Sequence, residues 1–295
     1  MPVSLKEFIL DSKEATSKAA ATEKSGGRLH SFMVRAGAGI VYAALFIGSL
    51  LFGVVPTAVF ASVMSVLCCY EFYRMMRLDG KVPNEFVGLV ASVLFPLSVL
   101  VDPVWLTVIN FLLVLLLGLW YVQNPRTRIA DVAVTAFGAI YTGYMLSAIV
   151  LLREAIPGWE GALLSIGVCA SLWLSDSFAY MVGSRFGKHK MVPKISPKKS
   201  WEGFFGGLLG SVVVWIIIWW TGLYEINLWF SILCGVVVSI MGVFGDLLES
   251  RIKRGVGVKD SGNLIPGHGG MLDRSDSLIV GVITAYLMLH LGGVL

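Results

Sequence analysis

Acidic, basic and hydroxyl side chains are concentrated in one stretch near the C-terminal end of the sequence, GDLLESRIKRGVGVKDSGNLIPGHGGMLDRSDS. If the stretch begins as a helix, positions i, i+3, i+4 and i+7 share one face. That face would carry Asp246, Glu249, Ser250 and Lys253. Glycines end this helix, and the PGHGG run that follows lets backbone amides approach a ligand closely. The stretch therefore offers both donors and acceptors to a charged ligand.

The carboxylates of this stretch indicate a metal ion. Asp273 and Asp276 follow the glycines at i and i+3, and five acidic residues lie within 31 positions. Carboxylates held together repel one another unless protonated or bridged by a cation, and oxygen-only ligands suit magnesium better than zinc. Magnesium prefers one or two carboxylates plus substrate phosphates, so the pattern predicts a polyphosphate site. The basic residues available for the remaining phosphate oxygens are Arg251, Lys253, Arg254, Lys259 and Arg274.

Asp176 lies two thirds of the way along an earlier apolar stretch, between Ser175 and Ser177. An unpaired charge inside a membrane costs roughly 2.5 to 3.5 kcal/mol on insertion scales, so such a residue needs a partner or a role. Asp176 could simply pair with an arginine of a neighbouring helix, but we favour a role in the site. Asp131 and Glu71 lie near the ends of apolar stretches, and we expect both to reach the membrane interface.

A basic loop follows, with the sequence KHKMVPKISPKKSWEGFFGG. Ser200 is of the residue type that caps helices, and Lys198 and Lys199 precede the next helix, whose free amides and dipole favour an anion. The loop resembles a phosphate seat, although the positive flank of a membrane span would have the same composition, and both interpretations stay open at this point. Small-residue spacing in the next helix predicts close packing on a neighbour through Gly203, Gly206, Gly207 and Gly210.

The composition requires these residues to be positioned by membrane helices. The chain has 295 residues, of which 56% are hydrophobic and 14% charged, and its mean hydropathy is +0.80. A soluble globule of this size needs more polar surface, and disorder needs low hydrophobicity with high net charge, whereas the formal charge is +4. These values exclude a soluble domain, a disordered chain and a nucleic-acid-binding arm, and they predict an integral membrane protein. The four cysteines lie in apolar runs, and we expect them to be packing thiols.

Apolar stretches long enough for a spanning helix occur nine times. They cover approximately residues 33–52, 54–75, 85–101, 105–122, 132–152, 162–182, 204–220, 228–248 and 277–294. The third and fourth are separated by a short gap and could instead form a re-entrant pair. With the N-terminus inside, 22 of the 23 lysines and arginines lie on the cytoplasmic side. The sequence therefore predicts an all-α bundle of about nine transmembrane helices with a cytoplasmic N-terminus.

We divide the chain into a polar cytoplasmic tail, residues 1–31, and one transmembrane catalytic domain, residues 32–295, with its active site within about 170–280. The C-terminal stretch resembles the CDP-diacylglycerol synthases, or phosphatidate cytidylyltransferases. The resemblance extends to the SDSFAY and SPKKSWEG segments and so covers about the C-terminal half. Its positions are Ser250, Ile252, Lys253, Arg254, Lys259, Asp260, Gly262, Ile265, Pro266, His268, Gly269, Gly270, Met271, Asp273, Arg274 and Asp276.

The resemblance implies magnesium-dependent transfer of a cytidylyl group from CTP to phosphatidic acid, which gives CDP-diacylglycerol and pyrophosphate for phospholipid biosynthesis. We expect Asp246 and Asp273 to bind the metal, with Asp176 and Asp276 as supporting or alternative ligands. The catalytic set is then Asp246, Asp273, Lys253, Arg274 and Asp276. The substrate-binding set is Asp176, Lys198, Lys199, Ser200, Glu202, Ser250, Arg254, Lys259, Asp260, His268, Gly269 and Gly270, with the last three in the triphosphate loop.

Three other functions remain open at this point. A CTP-dependent polyprenol or dolichol kinase would share the nucleotide and metal site but accept a lipid alcohol. An ion-coupled transporter would explain buried acids but not the basic, glycine-rich loops. A non-catalytic scaffold would tolerate loss of the acids. The acids at the ends of spans and the basic loops predict an active site on the cytoplasmic face, and the composition predicts no nucleic-acid partner. We further expect a bacterial-type cell membrane, and the resemblance implies a homodimer.

Overall fold

The protein is built almost entirely of helices, as seen in a computed structural model that describes residues 37, 39–262, 264 and 269–295. The proposed tail, residues 1–31, lies outside the described residues. A π-helical turn, Ile140–Tyr144, joins α5 to α6. The helices are α1 (Gly39–Phe52), α2 (Val54–Leu78), α3 (Glu85–Ser98), α4 (Val104–Gln123), α5 (Ile129–Ala139), α6 (Ser147–Ala155), α7 (Gly158–Phe186), α8 (Trp201–Trp220), α9 (Leu228–Gly255) and α10 (Leu272–Leu291).

Length and composition identify this bundle as a polytopic membrane protein. Within the described residues, six helices are long and apolar enough to cross a bilayer: α2, α4, α5 with α6 as one unit, α7, α8 and α9. Only 22% of the apolar window of α4 is buried inside the protein, so most of this helix faces outward. Helices α1 and α3 are apolar but shorter, and α10 carries charged residues in its first turns. The count of spanning helices is thus six on these criteria, against the predicted nine.

The C-terminal helices α7, α8, α9 and α10 pack closely because glycines stand at their contacts. A Cβ atom at Gly207 of α8 would lie 2.7 Å from the Ser175 carbonyl oxygen of α7, and one at Gly206 would lie 2.7 Å from Val182 Cβ. Real Cβ atoms do not approach this closely, so α8 lies against α7 through backbone contact. The predicted small-residue packing of α8 is confirmed. This packing brings the polar positions of four helices together at one end of the bundle.

The basic loop between α7 and α8 forms a β-hairpin, which the sequence did not predict. Strand β1 (Lys190–Val192) pairs antiparallel with β2 (Ser196–Ser200), with Lys190 opposite Ser200. The hairpin is tied to α8, because the Trp201 amide donates to the His189 carbonyl at 2.9 Å. Ser200 caps α8 as predicted, since its hydroxyl accepts a hydrogen bond from the Gly203 amide. The lysines that precede α8 are therefore held on a strand.

Candidate active site

Three carboxylates from three helices meet at the end of the bundle that carries the hairpin. Asp176 belongs to α7, Asp246 to α9 and Asp276 to α10. Ser277 joins two of them, because its hydroxyl donates to Asp176 Oδ2 at 3.1 Å and its amide donates to Asp276 Oδ1 at 2.8 Å.

The third acid of the group, Asp246, follows Gly245. A Cβ atom at Gly245 would lie 2.4 Å from the Asp276 carbonyl oxygen, so α9 and α10 touch through their backbones at this point. Asp246 and Asp176 are both close enough for their charges to act on Asp276. Like charges held this way call for a cation or a basic side chain nearby.

A cavity of about 510 Å³ lies between this acid group and the hairpin. It is lined by Asp176 and Asp246 on one side and by Lys190, Lys198 and Lys199 on the other. The Lys199 ammonium lies 2.6 Å from Asp246 Oδ2. The volume is within the usual range for small-ligand pockets, and three lysines can neutralise a polyphosphate. The structure therefore brings together predicted residues from the α7 end, the hairpin and α9.

A second, smaller cavity of about 240 Å³ adjoins the first, and Asp176 lines both. Its polar lining includes Arg274 and Asp276, and its apolar wall includes Tyr42 of α1 and Trp173 of α7. The two cavities thus offer adjoining spaces on either side of one carboxylate. Such an arrangement suits two ligands that react with each other.

Lys253 and Asp273 contact each other, so each is less open to a ligand than we predicted. Lys253 Nζ donates to Asp273 Oδ1 at 2.6 Å and also forms an ion pair with Glu249, one helical turn earlier in α9. The other oxygen, Asp273 Oδ2, accepts from the Ser261 amide at 2.9 Å and from the Gly270 amide at 2.8 Å. Asp273 therefore connects α9 and α10 to both ends of the glycine-rich segment, residues 261–270.

The predicted metal pair, Asp246 and Asp273, has two different sets of partners. Asp246 is grouped with Asp176 and Asp276, whereas Asp273 is grouped with Lys253. Within the part of the chain that the structure describes, no three carboxylate, imidazole or thiol side chains form a ready-made metal cage. Magnesium needs only one or two carboxylates when phosphates and water complete its coordination, so Asp246 at the cavity wall still fits it. Metal binding by both Asp246 and Asp273 stays a prediction.

Two other predicted substrate ligands are engaged by neighbouring side chains. Glu202 Oε1 lies 2.6 Å from a ring nitrogen of His189, so this carboxylate fastens the base of the hairpin. The Ser250 hydroxyl donates to Asp246 Oδ1 at 3.2 Å, as expected if α9 continues beyond the membrane core. Direct contact of either residue with a substrate stays a prediction.

The remaining predicted residues lie on or near the glycine-rich segment. Arg254 donates to the Val258 carbonyl at 2.8 Å at the end of α9, and Lys259 and Asp260 are exposed. Gly269 has a φ of +86°, a conformation that favours glycine. His268 lies outside the described residues.

Glu71 is the site residue that the sequence interpretation missed. It is only 4% exposed and accepts three hydrogen bonds, from the Ser261 hydroxyl and from the amides of Met271 and Leu272. Its position relative to the membrane interface stays a prediction. Asp131 is buried too, and accepts from the Val82 and Arg128 amides. The position of Glu71 inside an apolar stretch was the one sign in the sequence that it has buried partners. Those partners could not be identified, because they lie some 200 positions away.

Comparison with known proteins gives a consistent result. The model of a family described as "Cytidylyltransferase family" matches residues 33–292. Phosphatidate cytidylyltransferases of Staphylococcus haemolyticus and Staphylococcus aureus are 32% and 30% identical, each over 83% of this chain and 94% of the relative.

A phosphatidate cytidylyltransferase of Mycobacterium bovis is 41% identical over 57% of this chain. That match spans about half the length of the mycobacterial protein, 54% of it. The family model extends over the N-terminal helices as well as the acid group. The chain belongs to the cytidylyltransferase family.

Proposed function

We propose that the chain transfers a cytidylyl group from CTP to phosphatidic acid, which yields CDP-diacylglycerol and pyrophosphate. The observation that carries the proposal is the cavity in which Lys190, Lys198 and Lys199 face Asp176 and Asp246. Family membership, together with relatives named phosphatidate cytidylyltransferase, supports the choice of substrates. The apolar helices support a lipid as the second substrate, because a doubly acylated phosphate stays in the bilayer.

The residues of the larger cavity suit the nucleotide. The lysines bind the phosphate oxygens of CTP and hold its α-phosphorus near the acid group. Asp246 and Asp273 would hold magnesium, with Asp176 and Asp276 as supporting or alternative ligands. When bound, magnesium offsets charge on the α-phosphate and on the departing pyrophosphate. Lys199 is already placed to exchange its contact with Asp246 for a phosphate oxygen.

The smaller cavity suits the lipid phosphate. Arg274 and Ser277 line it beside Asp176, and Tyr42 and Trp173 provide an apolar wall toward the diacyl part. A phosphatidate oxygen attacks the α-phosphorus, a new P–O bond forms, and the bond to the β-phosphate oxygen breaks to release pyrophosphate. A phosphomonoester is already a nucleophile near neutral pH, so no strong base is required.

The proposal includes nine transmembrane segments, a cytoplasmic N-terminus and an active site on the cytoplasmic face. The bias of 22 of 23 lysines and arginines to one side supports this orientation. Helices α1, α3 and α10 coincide in position with the first, third and ninth predicted spans. We also propose a homodimer, which mass measurement of the purified protein in detergent would test.

The test uses the purified chain in vesicles with phosphatidic acid, magnesium, and CTP labelled on either the α- or the γ-phosphate. We expect α-label in the lipid product and γ-label in pyrophosphate. Transfer of γ-label to a lipid would show a kinase, and absence of transfer to any lipid would reject both enzymes. The same assay is run on Lys199→Ala, which removes a lysine of the cavity. Its matched control is Lys194→Ala, because Lys194 is exposed in the same hairpin but does not line the cavity.

A further inference from the structure

The Glu71 carboxylate lies at the start of α10, although Glu71 belongs to α2. Glu71 Oε1 accepts a hydrogen bond from the Met271 amide at 3.0 Å, and Oε2 accepts from the Leu272 amide at 2.9 Å. Met271 stands at the N-cap position of α10 and makes no side-chain cap of its own. Free amides at a helix N-terminus favour an anion, and Glu71 supplies it from another helix. The place of the first turn of α10 therefore depends on α2.

The start of α10 forms one wall of the smaller cavity. Half of the residues that line this cavity belong to α10, namely Asp273, Arg274, Asp276 and Ser277. The described residues that line the larger cavity come from α7, the β-hairpin, α8 and α9 and from the turn at Gly187, and none of them is on α10. A displacement of the first turn of α10 would thus change the lining of the smaller cavity and leave that of the larger cavity in place.

A second contact joins Glu71 to the same wall. The Ser261 hydroxyl donates to Glu71 Oε2 at 2.8 Å and lies 3.1 Å from Asp273 Oδ2. Asp273 lines the smaller cavity, and its other oxygen accepts from Lys253 Nζ of α9 at 2.6 Å. Glu71 is therefore connected to the wall in two ways, through the backbone of α10 and through the side chain of Asp273.

The stability of α10 alone does not require this arrangement. Ser, Thr, Asp or Asn at the N-cap position satisfies the first amides of a helix without a charge from a distant helix. Burying a carboxylate is costly unless hydrogen bonds compensate, and Glu71 obtains those of Met271 and Leu272 only when α10 starts at the observed place. The carboxylate therefore favours one position of the wall over others.

We propose that Glu71 is a positioning residue for the lipid phosphate, which acts by fixing the first turn of α10 and with it the wall of the smaller cavity. The inference rests on the proposed function, in which this cavity takes the phosphate of phosphatidic acid. Loss of the Glu71 carboxylate then weakens the use of the lipid more than the use of CTP. A purely structural role would instead lower stability without distinguishing the two substrates.

The test compares Glu71→Gln with Asp131→Asn in the purified full chain. Asp131 is a matched control, because it is also a buried acid that accepts backbone amides at the start of a helix, those of Val82 and Arg128. It lines neither cavity. Both substitutions keep the size of the side chain and turn one acceptor into a donor that faces amides. Both should therefore lower the thermal midpoint.

The two KM values separate the variants. We expect the KM for phosphatidic acid to rise about tenfold in Glu71→Gln, while the KM for CTP changes much less. Both are measured at saturating magnesium, because Asp273 of the same turn is a predicted metal ligand. Asp131→Asn should change neither KM. If Glu71→Gln does not fold, Ser261→Ala tests the same link, with a smaller rise in the KM for phosphatidic acid expected.

An unchanged KM for phosphatidic acid in Glu71→Gln, or in Ser261→Ala where that variant replaces it, would overturn the inference. An equal rise in both KM values would do the same, as would an equal rise in the control. A parent chain without cytidylyl transfer would count against the proposed function instead. Equilibrium binding of a short-chain phosphatidic acid to the parent and to Glu71→Gln would then decide the role of Glu71, since weaker binding to the variant supports it and equal binding contradicts it.

Discussion

The Lys199 ammonium and the Asp246 carboxylate lie 2.6 Å apart and join the β-hairpin to α9 across the larger cavity. Both side chains are partly exposed, at 23% and 29%. In the proposed function Lys199 binds a phosphate of CTP and Asp246 binds magnesium. Their mutual ion pair is then replaced by these two contacts when the metal–nucleotide complex binds.

Lys199→Gln removes the positive charge that contacts Asp246 in the larger cavity. We expect the KM for CTP to rise about tenfold or more, because a charge-assisted contact with a phosphate is lost. Steady-state kinetics with labelled CTP measures the change, and Lys194→Gln serves as the control from the same hairpin. Equal KM values for the two variants would contradict this assignment.

Asp246→Asn and Asp273→Asn should differ in their effect on stability, although both should lower turnover. Asp246 is one of three acids that repel one another, so its neutralisation should spare the thermal midpoint while turnover falls at least about a hundredfold. Asp273→Asn removes an ionic partner of buried Lys253 and should lower the midpoint as well as turnover. Thermal unfolding in detergent, measured beside turnover, separates the two outcomes. A loss of stability confined to Asp246→Asn would reverse the roles of the two aspartates.

Gly207→Ala should destabilise the bundle. Its Cβ atom would lie 2.7 Å from the Ser175 carbonyl oxygen, and overpacking of this kind costs about 1–3 kcal/mol. Gly118→Ala in α4 is the control, because no atom beyond its two chain neighbours and the backbone of its own helix lies within 4 Å of its Cβ position. The thermal midpoint should fall for Gly207→Ala only. If Gly207→Ala had the same thermal midpoint as the parent chain, α7 and α8 would not be in backbone contact.

Gly270→Ala and Glu71→Gln should both destabilise the start of α10. The added methyl group would occupy the place of Glu71 Oε2, 2.2 Å away, and force the carboxylate from the glycine-rich segment. We expect a lower thermal midpoint in detergent for both variants, because the Met271 and Leu272 amides lose their acceptor. If the effect of combining Gly270→Ala with Glu71→Gln is no larger than the effect of either substitution alone, both act through one contact. Additive effects would contradict a shared route.

Features set by neighbouring residues could be predicted from the sequence. Apolar runs located the helices, and the hydroxyl of Ser200 predicted the start of α8. The i, i+4 spacing of Glu249 and Lys253 predicted their shared face, and these residues form an ion pair. In each case the interacting groups lie within a few positions of each other, so spacing alone carries the information.

Features that depend on distant partners could not be predicted. Helix α10 begins at Leu272, five residues before the predicted span, because Glu71 of α2 accepts its first amides. The grouping of Asp246 with Asp176 and Asp276 depends on backbone contact at Gly245, which no local pattern reports. Packing of α7, α9 and α10 decides which acids meet, and the order of residues along the chain does not report it.

Magnesium titration of CTP turnover, with phosphatidic acid present or absent, tests the central claim most directly when the parent is compared with Asp246→Asn. Production of labelled CDP-diacylglycerol from α-labelled CTP should require both magnesium and the lipid, and should saturate with the metal in the parent. In Asp246→Asn it should be lost, or should need far more magnesium. A parental magnesium response in Asp246→Asn, or cytidylyl transfer independent of the metal, would contradict the account.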